Sequence, residues 1–335
     1  ALRASRPNPI GPLKELGTGI GAPRRRTLVR ALLVSTQLAL ALILLIGSGL
    51  LLNSFVRLVQ RDLSFKPDGL VRVDYNVPTD GYLKPIGSYQ GFPYFEVTTP
   101  PSQRLEQVLD RLRIVPGARS VAGISAPPVD SFILTTPDVR LEPPASVRLS
   151  ATYFLVTPNL FSTLETPLLQ GRDFTDRDTA GTPWVAVVNE TCARLFWPGR
   201  DPIGKRLTLD TVPEEQAREV IGVDRDIPTR HAEPAQPVIY ASYLQQPARY
   251  RGPWANLFGG MIFMLRSTGD QQALILAARQ ALAEIDPNRP VAAVSTVESH
   301  MSNAVGQFRD SVLLVAVLAA VATLLAAIGT YGVMA

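Results

Sequence analysis

Two long stretches without a formal charge bracket this chain. Ala31 to Leu52 follows a basic cluster (Arg24, Arg25, Arg26, Arg30), and Ser311 to Ala335 follows Arg309 and Asp310. At ~1.5 Å rise per residue the first would extend roughly 33 Å as a helix, which matches the ~30 Å hydrocarbon thickness of a bilayer. Each stretch predicts a membrane span, and the residues between them read as an ectodomain.

Inside that ectodomain the pattern changes from residue 70. Val71, Val73, Tyr75 and Val77 alternate with Arg72, Asp74 and Asn76, the period of a half-buried strand. Residues 78–101, rich in Pro, Gly and Tyr, read as a loop. Leu105, Val108, Leu109 and Leu112 then recur at helical spacing, Pro116-Gly117 stops the helix, and Val121–Ser125 forms the next strand. The same unit recurs downstream. Met261–Leu265 reads as a strand, Gly269-Asp270 caps a helix with Leu274, Ala278, Ala281, Leu282 and Ile285 on its apolar face, and Val291–Ser295 echoes Val121–Ser125. The expected fold class is α+β: two strand-helix-strand units share one sheet as a ferredoxin-like lobe, split by a β-rich second lobe, between two transmembrane helices.

The insert at 126–258 offers three strands, Val185–Val188, Arg206–Leu209 and Glu219–Val223. One short helix stands out, starting at Asn189 and ended by Pro198-Gly199. From Val297 a helical pattern runs through Met301 and Phe308 into the closing span. Small residues at four-residue spacing, Ser35 and Ala39 in the first span and Ala319, Thr323 and Ala327 in the second, predict faces that pack against other helices. Ala316 and Ala320 flank the second stripe, Gly47 and Gly49 lie near one end of the first span, Gln37 adds a polar group, and Tyr331 marks an interface.

Charge refines this picture. The net charge of +4 comes from residues 1–53, which hold seven Lys/Arg against the single acid Glu15; residues 54–335 carry a net −2. The basic balance is therefore a juxtamembrane cluster and excludes a nucleic-acid surface. By the positive-inside tendency the N-terminus faces the cytoplasm and residues from about 56 to 310 lie outside. The first apolar run exceeds the 7–15 residues of a signal peptide and lacks a small-residue cleavage site before Asn53. Cys192 is the only cysteine, so no intrachain disulfide forms, and its setting reads as a small core residue of the short helix.

Several stretches imitate chemical motifs. Gly199-Arg-Asp-Pro-Ile-Gly204-Lys205 has phosphate-loop spacing, but Arg206 stands where Ser or Thr must hold magnesium, and no strand leads into it. Asp176, Asp178 and Gly181 begin like a calcium loop, but Ala180 and Val187 occupy ligand positions. Asn189-Glu-Thr191 spells a glycosylation acceptor, yet the asparagine also suits a helix cap. His231 and His300 have no partner at zinc-ligand spacing, and no G-x-S-x-G elbow occurs. No catalytic, cofactor-binding or metal-ligating residue is assigned, no cofactor is expected, and the chain reads as something other than an enzyme.

In combination, Arg30–Leu40, Ile46–Phe55, Leu169-Gln-Gly171-Arg-Asp-Phe174, Val187–Glu190, Phe196-Trp-Pro-Gly199, Asp201–Leu207 and Ala327–Ala335 resemble the permeases of the MacB/FtsX type, and within them the duplicated orphan permeases of acidobacteria. Residues 78–100 and 126–148 match that pattern poorly. The resemblance implies a cytoplasmic linker (1–27), a first transmembrane helix (28–55), a periplasmic core domain (56–310) and a second transmembrane helix (311–335). The core would divide into a porter-like lobe (68–125 and 259–300) and an inserted β-rich lobe (126–258).

Ala1–Arg6 with Pro9 and Leu13-Lys14 resembles the tail of a preceding permease unit, so the chain is expected to be a middle piece of a longer protein. The implied setting is the inner membrane. The implied partners are a cytoplasmic ABC ATPase subunit, further permease helices, the lipid bilayer, and periplasmic or outer-membrane proteins, with no nucleic acid. The implied action is mechanotransmission, in which ATP-driven movement of stalk helices reshapes the outer domain. A two-span sensor with a ligand-binding outer domain shares the same topology.

Overall fold

The computed structural model describes residues 22–59, 64–77, 82–89, 91–98, 101–126, 137–142, 149–166, 168–212, 215–227, 235–252, 260–287 and 293–334. In chain order the elements are α1 (Ala22–Val59), β1 (Leu70–Asn76), β2 (Leu83–Tyr89), β3 (Phe92–Val97), α2 (Pro101–Arg113), β4 (Ala118–Ile124), β5 (Asp138–Glu142), β6 (Leu149–Ser150), β7 (Thr152–Val156) and α3 (Leu160–Leu164). They continue with β8 (Gln170–Gly171), β9 (Val185–Asn189), α4 (Glu190–Phe196), β10 (Arg206–Leu209), β11 (Arg218–Asp224), β12 (Val238–Ser242), β13 (Arg249–Arg251), β14 (Gly260–Ser267), α5 (Gln271–Ile285), β15 (Val294–Thr296) and α6 (Val297–Met334). The chain divides into two compact units, residues 1–60 with 305–335, and residues 61–304.

In the first unit, Ser35–Asn53 and Leu313–Tyr331 are long and apolar enough to cross a membrane, with mean hydropathies of 2.0 and 2.5. Side-chain hydroxyls inside them bond back to their own helix, as Thr323 does to the Ala319 carbonyl at 2.7 Å and Thr330 to that of Ala326 at 2.9 Å, which removes an unpaired donor from an apolar layer. The face covered within this helix pair is distinct from the four-residue stripe expected to meet further helices. Ala319 and Ala326 are buried, Ala322 and Gly329 are half-buried, and Ala39, Thr323 and Ala327 are exposed. A strict four-residue row drifts off the contact line of a 3.6-residue helix, and alternating steps of three and four keep to it. Across that face Gln37 Oε1 stands 2.9 Å from where a Cβ at position 329 would lie.

In the second unit the two expected strand-helix-strand units come together. β1 pairs antiparallel with β14 (Val71↔Leu265, Val73↔Phe263) and with β15, and β14 pairs antiparallel with β4. The local strand order is thus β15-β1-β14-β4. Alternation sorts the side chains: Val71, Val73, Tyr75, Phe263 and Leu265 face α2 and α5 and pack on Leu105, Leu109, Leu112, Leu274, Ala278 and Leu282. Arg104 of α2 reaches across to the Ile285 carbonyl at the end of α5 (3.1 Å), and Arg111 pairs with Glu284. Leu70, Ala122, Ile124 and Met264 point the other way, into a second core with Phe161 and Leu164 of α3.

At Ile124↔Val156 the sheet passes from β4 to β7 and continues through β12, β9, β11, β10 and β5 to β6, with β8 beside β11. Its central strands β7, β9 and β12 are buried along their whole length, the pattern of strands covered on both faces. Residues 78–101, expected as a loop, instead contain β2 and β3, which join β13 in a separate three-stranded sheet. Pro85, Gly87 and Pro93 conceal these strands in the sequence: a bulge falls at Pro85/Gly87, and β2 is an edge strand that tolerates proline. The insert also holds a second helix, α3, which its five residues and uncapped start at Asn159 had hidden. In the expected strand Val291–Ser295, Val291 and Ala292 lie outside the described residues.

Candidate functional site: an arginine-centred junction

Chemical mimicry resolves into structure at each described position. Asp178 is buried and accepts both Arg172 Nη1 and Nη2 at 2.9 Å, together with the Thr175 backbone N–H at 2.8 Å. Burial alone would raise its carboxyl, but these donors hold it below the usual carboxylate range. Asn189 is fully committed: Oδ1 accepts the N–H groups of Cys192 (2.9 Å) and Val238 (2.8 Å), and Nδ2 donates to Asp226 (2.6 Å) and the Gln236 carbonyl (2.8 Å). That geometry makes it a helix cap welded to β12.

Cys192 lies in the core, where burial pushes its thiol far up. The phosphate-loop mimic is a turn between α4 and β10, with Gly199 at φ 67° and Gly204 at φ 75°. His231 lies outside the described residues, and His300 sits in the first turns of α6. Among the described residues no group of three or more His, Cys, Asp or Glu side chains could hold a metal ion.

The arrangement that stands out lies where the chain enters and leaves the second unit. On the entering side, Ser64 takes a left-handed backbone (φ 59°) and Phe65 buries its ring in the second core, which also contains Val297. The Lys66 N–H bonds the Leu164 carbonyl at 3.3 Å, and its ammonium pairs with Glu165 at 3.0 Å. On the leaving side Thr296 caps α6 through Oγ1 to the Ser299 N–H (3.1 Å), and Met301 packs on the same core. Entry and exit are tied directly: the Gly69 N–H donates to Glu298 Oε1 at 3.3 Å, and Gln271 at the start of α5 donates to the same oxygen at 3.4 Å.

Arg266, from the end of β14, holds this corner together. The residue is 5% exposed, and its guanidinium makes four hydrogen bonds to three carbonyls: Nε and Nη2 to Thr163 (3.1 and 2.8 Å), Nη2 to Lys66 (3.1 Å) and Nη1 to Asp68 (2.6 Å). The Thr163 carbonyl is one of those a helix end leaves without an intrahelical partner. Only a rigid five-donor fork can serve three carbonyls from two segments at once. Burial works against the Arg266 cation, and Glu165 at 3.8 Å offsets it. Glu165 itself, at φ 58°, is held below the usual carboxylate range by Lys66 and then Arg266. Sequence reasoning missed this junction because its acceptors are backbone carbonyls, which carry no residue signature. The available signal was an arginine closing the apolar run Met261–Leu265.

An α+β body of this kind, with apolar helices of spanning length at both chain connections, is the outer domain of a membrane protein. The model of the MacB-like periplasmic core domain matches residues 32–281, and the chain belongs to that family. It is the periplasmic domain of MacB/FtsX-like permeases, consistent with a transporter of the ABC type. Among solved structures the chain is similar to the periplasmic region of MacB from Actinobacillus actinomycetemcomitans, with 11% identity, 73% of this chain and 96% of that one covered, and a TM-score of 0.46. It is also similar to the extracellular domain of the noncanonic ABC-type transporter YknZ from Gram-positive bacteria, with 13% identity, 67% and 99% covered, and a TM-score of 0.42. No curated protein matches.

Proposed function

We propose that this chain is part of a permease subunit of an ABC-type exporter or envelope-remodelling system, and that it works by mechanotransmission. A separate cytoplasmic ATPase moves the membrane helices, and the periplasmic body changes shape in response. In this reading the N-terminus is cytoplasmic, residues 56–310 are periplasmic, and the uncovered apolar faces of the spans receive lipid and further permease helices. The order β15-β1-β14-β4, with α2 and α5 on one face, supports a ferredoxin-like porter lobe, and residues 126–258 form the inserted β-rich lobe.

The observation that carries the reading is the junction. Residues 64–69 and 296–301, the two segments that continue into the apolar helices, are bonded to each other through Gly69 and Glu298. Both meet the hub formed by α3, β14 and Arg266. Displacement arriving through either segment is delivered to one corner of the sheet, and close-packed interiors transmit strain instead of absorbing it. The test is Glu298→Ala in the full protein, reconstituted with its ATPase in liposomes. The expected result is ATP hydrolysis near the wild-type rate with export reduced about tenfold or more, at an unchanged thermal midpoint. Export and hydrolysis falling in the same proportion, or neither changing, contradicts the coupling role.

A further inference from the structure

Between the three-stranded sheet and the main sheet lies a cavity of about 220 Å³. Its floor is Leu155 of β7 and Leu105 of α2; its wall and roof are Val97 of β3, Tyr243, Leu244 and Tyr250 of β13. Among the described residues no charged side chain lines it. At ~30 Å³ each, about seven waters would fill this space, and each needs two to four polar partners.

The side chains of the lining offer few. Gln246 is engaged at both ends, its Oε1 accepting the Tyr153 hydroxyl at 3.2 Å and its Nε2 donating to the Ser242 carbonyl at 2.6 Å. Tyr250 is buried and has partners of its own. Ser102, at the start of α2, is the remaining hydroxyl apart from Tyr243. A space of this size with so few polar groups to offer favours an apolar guest over a water cluster.

The geometry points to a binding site for a small uncharged apolar compound, one substituted aromatic ring or two fused rings with at most one hydrogen-bonding group. Size sets the class: an engineered apolar cavity of about 150 Å³ stays dry and accepts benzene, so about 220 Å³ adds room for a second ring or a chain of three to four carbons. Charge sets the other limit, because an ionised guest would lose its hydration without gaining a paired counter-charge. A guest seated here touches β3 and β13 of one sheet together with β7 and α2 of the other, and so stiffens the joint between them. This inference stands apart from the transport reading and survives or fails without it.

The experiment is a titration of the full chain in lipid nanodiscs with indole, read through leucine-methyl NMR. Saturable shifts are expected at Leu105, Leu155 and Leu244, with none at Leu112 or Leu282, which share the core with Leu105 but do not line the cavity. Ser102→Leu, which fills the cavity from the helix, should weaken indole binding at least about tenfold; where that variant does not fold, Ala248→Leu at the rim serves the same purpose. Indole-3-acetate, of similar shape but anionic, should bind at least about tenfold more weakly. Absence of saturable shifts in the wild type, equal affinity in the filled variants, or equal affinity for the anion would overturn the proposal.

Discussion

Among the described residues, most buried ionisable groups have hydrogen-bond partners, and the Asp224 carboxyl and the Tyr82 hydroxyl stand apart. Asp224 is fully buried, and neither carboxyl oxygen makes a hydrogen bond of good geometry, the neighbouring Arg225 N–H interacting only weakly with it. Burial pushes its pKa to about 8, Asp173 and Asp226 push the same way, and the Arg225 N–H and side chain pull against them; Tyr240 packs nearby and is itself raised well above its ordinary value. Asp173 is raised to about 6, again by burial first. A carboxyl whose folded pKa exceeds its unfolded value of about 4 keeps a proton that the unfolded chain releases, so stability falls as pH rises from about 4 to about 8. Asp224→Asn should therefore flatten the loss of thermal stability between about pH 6 and about pH 8, which melting curves at several pH values would reveal; an unchanged slope would rule out Asp224 as the source. Arg266→Lys should cost about 2–4 kcal/mol in chemical denaturation, because one ammonium cannot reach the carbonyls of Thr163, Lys66 and Asp68 together.

Gly171 shows what the residue scale hides in a sequence. It was legible as part of a stretch that carries the family resemblance, Leu169–Phe174, without a reason for the glycine. Its backbone sits at φ 76° opposite Gly222, and a Cβ there would stand 2.0 Å from the Ile221 carbonyl oxygen. Gly171→Ala should lower unfolding free energy by more than about 3 kcal/mol, measured by denaturant titration of the full chain.

At the scale of elements, periodicity performed well where a single face decides burial. Helices α2 and α5 and strands β1, β4, β14, β9, β10 and β11 were all legible, since Leu105, Val108, Leu109 and Leu112 or Val71, Val73 and Tyr75 keep strict spacing against one core. It failed where another rule overrides the period. Strand β2 carries Pro85 at an edge with a bulge beside it, Pro93 lies near the start of β3, and α3 is too short, with an uncapped start, to show a period. Within the span pair the covered positions are Ala319, Ala322 and Ala326, at steps of three and four, and Thr323 and Ala327 of the stripe expected to meet further helices stay exposed. Packing of α2 on the sheet gives a direct check: Leu109→Ala should destabilise by about 2–5 kcal/mol, whereas Ile114→Ala, whose side chain is 67% exposed, should change stability by less than about 0.5 kcal/mol.

For the whole molecule, the sequence revealed two spans, an α+β body and its family, and left the junction and the cavity unseen. Both depend on segments far apart in the chain: Arg266 meets residues 66, 68 and 163, and the cavity gathers residues 97, 105, 155 and 250. No local pattern announces such meetings. The central claim is that the body stands on one side of a bilayer while the basic cluster stands on the other, since only then can helix movement carry work outward. Single cysteines at positions 24 and 201, each combined with Cys192→Ser, can be probed in cells with a permeabilised outer membrane using a membrane-impermeant maleimide. The account predicts that Asp201→Cys is labelled at once and Arg24→Cys only after the inner membrane is broken; labelling of both under the same condition would contradict it.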